Sequence, residues 1–182
     1  DMDWALKKSI ISINNQDYKL NVNGLSKKIV VGITDYMNTK QFNLTANTQI
    51  TKDTIRILET NLDFENSFFN IEGTIFQGNT LNLEITGKDQ KINNIIQHLP
   101  KHLQKICSPF IVRGRINFHS SLKGLINKEN NPLFEMKYEI KDAEFKLKSI
   151  PFELQGMQMN GELTNGENRN FESTKIVSNL FK

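Results

Sequence analysis

The 182-residue chain carries 23 basic and 20 acidic residues, for a net charge of +3, and 37% of its residues are hydrophobic. That is long enough for one sizeable domain and too regularly patterned for a disordered chain. The scattered, Lys-rich charge speaks for solubility and against a nucleic-acid partner. A single cysteine, Cys107, rules out an intrachain disulfide, and no apolar run reaches the ~18 residues of a membrane span.

The chain opens on Asp1-Met2-Asp3-Trp4 with no basic-then-apolar leader. Trp4 and Tyr18 read as mid-chain residues, so the whole of 1–182 is expected to be one β-rich module cut from a longer protein. Period-two alternation then dominates. Ile29, Val31 and Ile33 alternate with Val30, Gly32 and Thr34. Phe42, Leu44, Ala46 and Thr48 alternate with Asn43, Thr45 and Asn47. Leu81, Leu83 and Ile85 alternate with Asn82, Glu84 and Thr86. Val112 and Ile116 belong to a strand ending at Phe118. Farther on, Phe134, Met136, Tyr138 and Ile140 alternate with charged residues, and Phe145 and Leu147 with lysines. Such alternation puts one set of side chains on a dry face and the other in water, as in antiparallel sheets. Gln77-Gly78-Asn79, Asn130-Asn131-Pro132 and Asn165-Gly166-Glu167 supply turns.

One stretch breaks the pattern. Between Asp89 and Cys107, Ile92, Ile95, Ile96, Leu99, Leu103 and Ile106 fall at helical spacing. Asp89 is placed to cap this segment, and Pro100 must kink or divide it. The stripe Ile92, Ile96, Leu99 and Leu103 is expected to dock on one end of the sheet as a lid. The fold class is therefore mostly β: a curved antiparallel sheet or groove with one short kinked helical segment at about 89–107.

Three segments share an apolar-x-Gly-x-apolar form, centred on Gly73, Gly114 and Gly161. Each glycine marks a bulge, a bend or a close backbone approach. About ten strands at ~4.8 Å make a sheet nearly 50 Å wide, which one helix cannot cover. The sheet must fold over itself or leave an apolar trough open.

The residues offer little chemistry. His98 and His102 stand four apart with Pro100 between them and no carboxylate at a useful spacing, so no metal is expected. His119 has no evident carboxylate beside it in sequence. Cys107 reads as a structural thiol. Asp63, Glu65 and Glu72 read as wet-face carboxylates. No phosphate-cradling loop or nucleophile elbow is present, and Phe145 alternates with Lys146 instead of sharing a face with it. The chain is read as a non-enzyme without cofactor or metal.

The order of segments from Asn70 to Phe171 resembles the C-terminal region of AsmA-like envelope proteins. The resemblance rests on Ile71-Glu72-Gly73, Leu81 to Gly87, the helical stretch Ile95-Ile96-Gln97-His98-Leu99-Pro100, Val112 to Ile116 with Ser121 to Gly124 as a strand pair, and Leu133 to Ile140. It implies a periplasmic fragment of a longer protein, anchored in the inner membrane by an N-terminal helix outside these residues. It further implies an apolar β-groove that moves phospholipid between membranes and supports outer-membrane biogenesis. The expected partners are phospholipid or another acyl-chain lipid, the rest of the same chain and other envelope proteins.

Candidate groove residues are Leu81, Leu83, Ile85, Val112, Ile116, Phe118, Phe134, Met136, Tyr138 and Ile140. The pattern alone leaves open whether they line a trough or form a closed core. A second reading is an assembly module for outer-membrane protein maturation that packs the same face on protein. A third is a carbohydrate-active β domain, which needs exposed aromatics and a carboxylate pair.

Overall fold

The computed structural model describes residues 2–31, 34–98, 104–105, 107–127, 129–149, 151, 153–170 and 172–181. Ten strands follow in chain order: β1 (Met2–Asn14), β2 (Asp17–Val31), β3 (Thr34–Ile50), β4 (Thr54–Phe64), β5 (Ser67–Phe76), β6 (Thr80–Lys91), β7 (Phe110–Leu125), β8 (Leu133–Leu147), β9 (Glu153–Thr164) and β10 (Lys175–Phe181). One helix, α1 (Ile92–His98), sits between β6 and β7. The strands make a single antiparallel sheet ordered β1 to β10, curved and not closed. The mostly β architecture expected from the alternation is the one found.

Tight turns hold the meander together. Glu65 and Asn66 both adopt positive φ (49° and 64°) and join the paired residues Phe64 and Ser67 in a two-residue hairpin. That is the backbone whose twist matches the strands it joins. Gln77-Gly78-Asn79 turns β5 into β6, with Gly78 and Asn79 at positive φ (80° and 63°).

The strands are longer than the alternation suggested, because bulges let a strand continue past a break in pattern. Register shifts fall at Asn47/Thr48, Ile57/Thr60, Gly87/Gln90, Arg113/Arg115 and Ile140/Ala143. Extra residues on one strand bend it, which suits a curved sheet. The strand expected to end at Phe118 runs unbroken through Leu125, so Val112–Ile116 and Ser121–Gly124 are one strand and not a pair. Of the run Ile29 to Thr34, Ile29 to Val31 end β2 and Thr34 begins β3, while Gly32 and Ile33 lie outside the described residues.

Asp89 does not cap the helix. It lies in the β6 bulge at φ 51°, and its N–H donates to Asn117 Oδ1 at 2.7 Å. The helix begins three residues later and has no acidic residue in its first turn. A polar residue before an apolar stripe fits a bulge as well as a cap, and the β6–β7 pairing decides between them.

At that bulge β6 draws away from β5, whose pairing with it begins only at Asn70↔Thr86. Gln90 fills the gap. Its side chain is buried, and its Oε1 accepts from the Phe68 N–H at 2.8 Å in place of a β6 carbonyl. A Gln90→Leu variant strands that donor. The expected loss is about 1–3 kcal/mol by chemical denaturation. Unchanged stability would show that water serves Phe68 equally well.

The core is thin. Among the described residues the buried hydrophobics are Val22, Phe42, Ala46, Phe64, Ile92, Ile116 and Ala143. Val22, Phe42 and Phe64 form one cluster, flanked by Leu20, Leu44, Leu62 and Phe69.

Candidate functional site: the apolar face of the sheet

Directly opposed residues in an antiparallel sheet share a face, so the register shows which side chains lie together. One row runs Leu20, Ala46, Thr60, Ile71, Ile85, Ser120, Met136, Leu163. Beside it lie Gly73, Leu83, Leu122 and Phe134, and on its other flank Gly87, Phe118, Tyr138 and Gly161. Ile116, Ile140 and Met159 form a further row. Leu81 opposes Ile75 and Gly124, and Val112 opposes Phe145 beyond the β8 bulge. All ten candidate residues therefore stand on one face, which is mainly apolar from β2 to β9.

Of the ten, Ile116 is buried and the other nine are half-buried. Neighbours on the sheet shield their flanks, and among the described residues no second layer of strands covers their tips. A closed two-layer core would bury such side chains almost fully.

Aromatic rings lie across glycines on this face. A Cβ built on Gly87 would collide with the Phe118 ring, one on Gly161 with the Tyr138 ring, and one on Gly24 would meet the Phe42 ring at 3.0 Å. Each aromatic is the direct cross-strand partner of its glycine. Phe118 also meets Phe69, two strands away, with centroids 6.0 Å apart. Strand spacing alone would put them about 10 Å apart, so the rings lean toward each other across β6, with that of Phe118 over Gly87. Tyr138 keeps its hydroxyl satisfied by hydrogen bonding Ser178 on β10.

The helical end of the face is partly covered. Ile92 is buried, Ile95 and Ile96 are half-buried, and Asn94 Nδ2 donates to the Asn66 carbonyl at 3.2 Å. This ties α1 to the β4–β5 turn. Leu99 and Leu103, the other half of the expected lid, lie outside the described residues, as do Pro100, His102 and the side chain of His98.

The opposite face is polar and ion-paired. Glu84 holds His119 Nε2 at 2.8 Å and Lys123 Nζ at 3.3 Å. His119 thus has a carboxylate partner that its own stretch of sequence does not reveal, because Glu84 comes from β6. Lys137 pairs with Glu162, and Arg113 with Glu144. Exposed pairs of this kind contribute at most about 1 kcal/mol each. Asp63 and Glu72 lie on this side, and Glu65, in its turn, accepts from the Gln41 N–H at 2.8 Å. Among the described residues no three His, Cys, Asp or Glu side chains are grouped to hold a metal. Phe145 packs against Phe110, with centroids 4.8 Å apart.

Sequence reasoning missed Gln90, Glu84 as the partner of His119, and the rings over Gly24, Gly87 and Gly161, the last of which it marked only as a bulge, bend or close approach. The signal for all three is cross-strand register, which one sequence does not display. The chain matches no protein-family model, no curated protein and no solved structure.

Proposed function

We propose that this chain is a non-catalytic groove segment that shelters the acyl chains of a phospholipid or similar lipid. The single observation behind this reading is an apolar face, continuous across the inner strands and without a second layer among the described residues. An acyl chain needs apolar contact without directional bonds, and gains about 0.8 kcal/mol for each methylene withdrawn from water. Rings occupying the space above glycines fill what would otherwise be dents in that surface. The resemblance to AsmA-like proteins adds the setting: a periplasmic part of a longer, inner-membrane-anchored protein that serves phospholipid transport and outer-membrane biogenesis.

The test is native mass spectrometry of the purified chain, followed by solvent extraction. Bound phospholipid at near-stoichiometric amounts is the expected result. Protein free of lipid, with its apolar face taken up by another polypeptide, would replace this reading with an assembly module that packs the face on protein.

A further inference from the structure

The polar face of the sheet is not even. At the β6 bulge β5 and β6 part, and the Phe68 N–H donates to the Gln90 side chain instead of a β6 carbonyl. Gln90 Nε2 in turn donates to the Lys88 carbonyl. The Gln90 amide therefore bridges two strands that do not pair at that level. Over this bridge a hollow of about 490 Å³ opens toward solvent, lined by residues of β3, β4, β5 and β6. Bulges are common beside functional sites because they re-aim side chains. The volume falls within the ~300–1,000 Å³ of small-molecule sites.

The register sets what faces the hollow. Asn61 opposes Asn70 across β4 and β5, and Asn70 opposes Thr86 on β6. In the next row of the same face, Asp63 lies between Asn43 on β3 and Phe68 on β5. The Phe68 ring is 57% exposed. Asp63 is half-buried and has no hydrogen bond or ion pair among the described residues. Two of the amides are held in place, because Asn70 Nδ2 donates to Asn61 Oδ1 at 3.4 Å and Asn61 Nδ2 to Glu59 Oε1 at 3.1 Å. Among the described residues, Asn70 keeps its carbonyl oxygen and a second N–H for another partner. Asn43 accepts from Asn23 through its Oδ1 and keeps its two N–H groups.

These groups suit one kind of ligand. A carboxamide presents donor and acceptor side by side, and a carboxylate presents two acceptors. Both match neighbouring hydroxyl groups, which donate and accept in turn. An open aromatic ring offers its face to the C–H bonds of a sugar ring. The charged side chains in the lining, Asp63 and Lys88, are opposite in sign, so an anion meets no excess of positive charge. An acyl chain would strip water from the amides and from Asp63 without replacing its hydrogen bonds.

We propose that this hollow binds a neutral oligosaccharide, with one sugar ring laid on Phe68 and its hydroxyls hydrogen-bonded by Asp63, Asn70 and Asn43. The site lies on the face opposite the groove, and the inference holds whatever the apolar face binds.

The experiment is an NMR titration of the full chain, delipidated, with maltotriose, cellotriose and triacetylchitotriose as separate probes. At least one is expected to bind with a dissociation constant of about 1 mM or tighter, shifting the side-chain amide signals of Asn43 and Asn70. Phe68→Ala should weaken that binding about tenfold, and Asp63→Asn about fivefold. Neither should move the melting curve, since the Phe68 ring is exposed and Asp63 has no partner to lose. Phe76→Ala removes another exposed ring farther along the same strand and face, outside the hollow. It should leave binding unchanged. If Asp63→Asn fails to fold, the contrast between Phe68→Ala and Phe76→Ala decides alone. No binding of any probe up to about 10 mM overturns the inference. So does binding that Phe68→Ala leaves intact, or that Phe76→Ala weakens equally. Inorganic phosphate that shifts the same signals more tightly than the sugars, and no longer does so in Lys88→Ala, would make the hollow an anion site and overturn it too. Lipid content enters none of these readouts, so failure here and failure of the groove reading remain separate results.

Discussion

Gly73→Ala is expected to destabilise the protein by about 3 kcal/mol or more, read as a fall in the urea midpoint. Gly73 adopts φ 136°, a conformation L-residues rarely take, so any side chain there is strained. A Cβ would also fall onto the carbonyl oxygen of Asn82 and within 2.9 Å of Leu83 Cα. Both are backbone atoms of β6 and cannot swing aside as a side chain would. Relief requires β5 and β6 to part where they pair Gly73↔Leu83. Gly78→Ala is the matched control. It too has positive φ, but a Cβ added there would meet nothing within 4 Å, so its cost is backbone strain alone, about 1 kcal/mol. Equal losses at the two sites would mean the close approach at Gly73 carries no energetic weight.

Leu83→Glu separates folding from binding. Leu83 is half-buried on the apolar face, opposite Gly73 and Leu122. A carboxylate among acyl chains must be desolvated or protonated, and either is costly. With lipid gone, water reaches the same position, because nothing described covers it. The expected result is a folded protein that loses about 1 kcal/mol of stability and most of its bound phospholipid. The measurements are a melting curve and quantification of extracted lipid. Collapse of the fold would mean the face is a closed core in solution. A stable variant with undiminished lipid would remove Leu83 from the lining.

The strands and the face were legible because the alternation is long and regular. Phe42 to Thr48 and Phe134 to Ile140 read correctly from residue type alone, since period two has no other good explanation. Their ends did not read. Asp142 interrupts the alternation after Ile140, and a bulge in β8 absorbs the interruption without ending the strand. Asp89 looked like a cap because caps and bulges both favour short polar residues. The pairing with β7, 26 or more residues away, decides between them. The openness of the face was not legible at all. Leu83 has the same neighbours in sequence whether or not a second layer lies above it.

The strictly sequential strand order also governs how the chain reaches this structure. Each strand's partner is the one made just before it, so the sheet can be assembled strand by strand in the order of synthesis. No segment has to wait for a distant one. Loop-closure entropy is then spent in small steps, and contacts stay local for a β protein, which favours fast folding. Such an array behaves almost one-dimensionally, its stability a sum over adjacent pairs. Damage at β1 or β10 frays an end, whereas damage at β5 or β6 cuts the array in two.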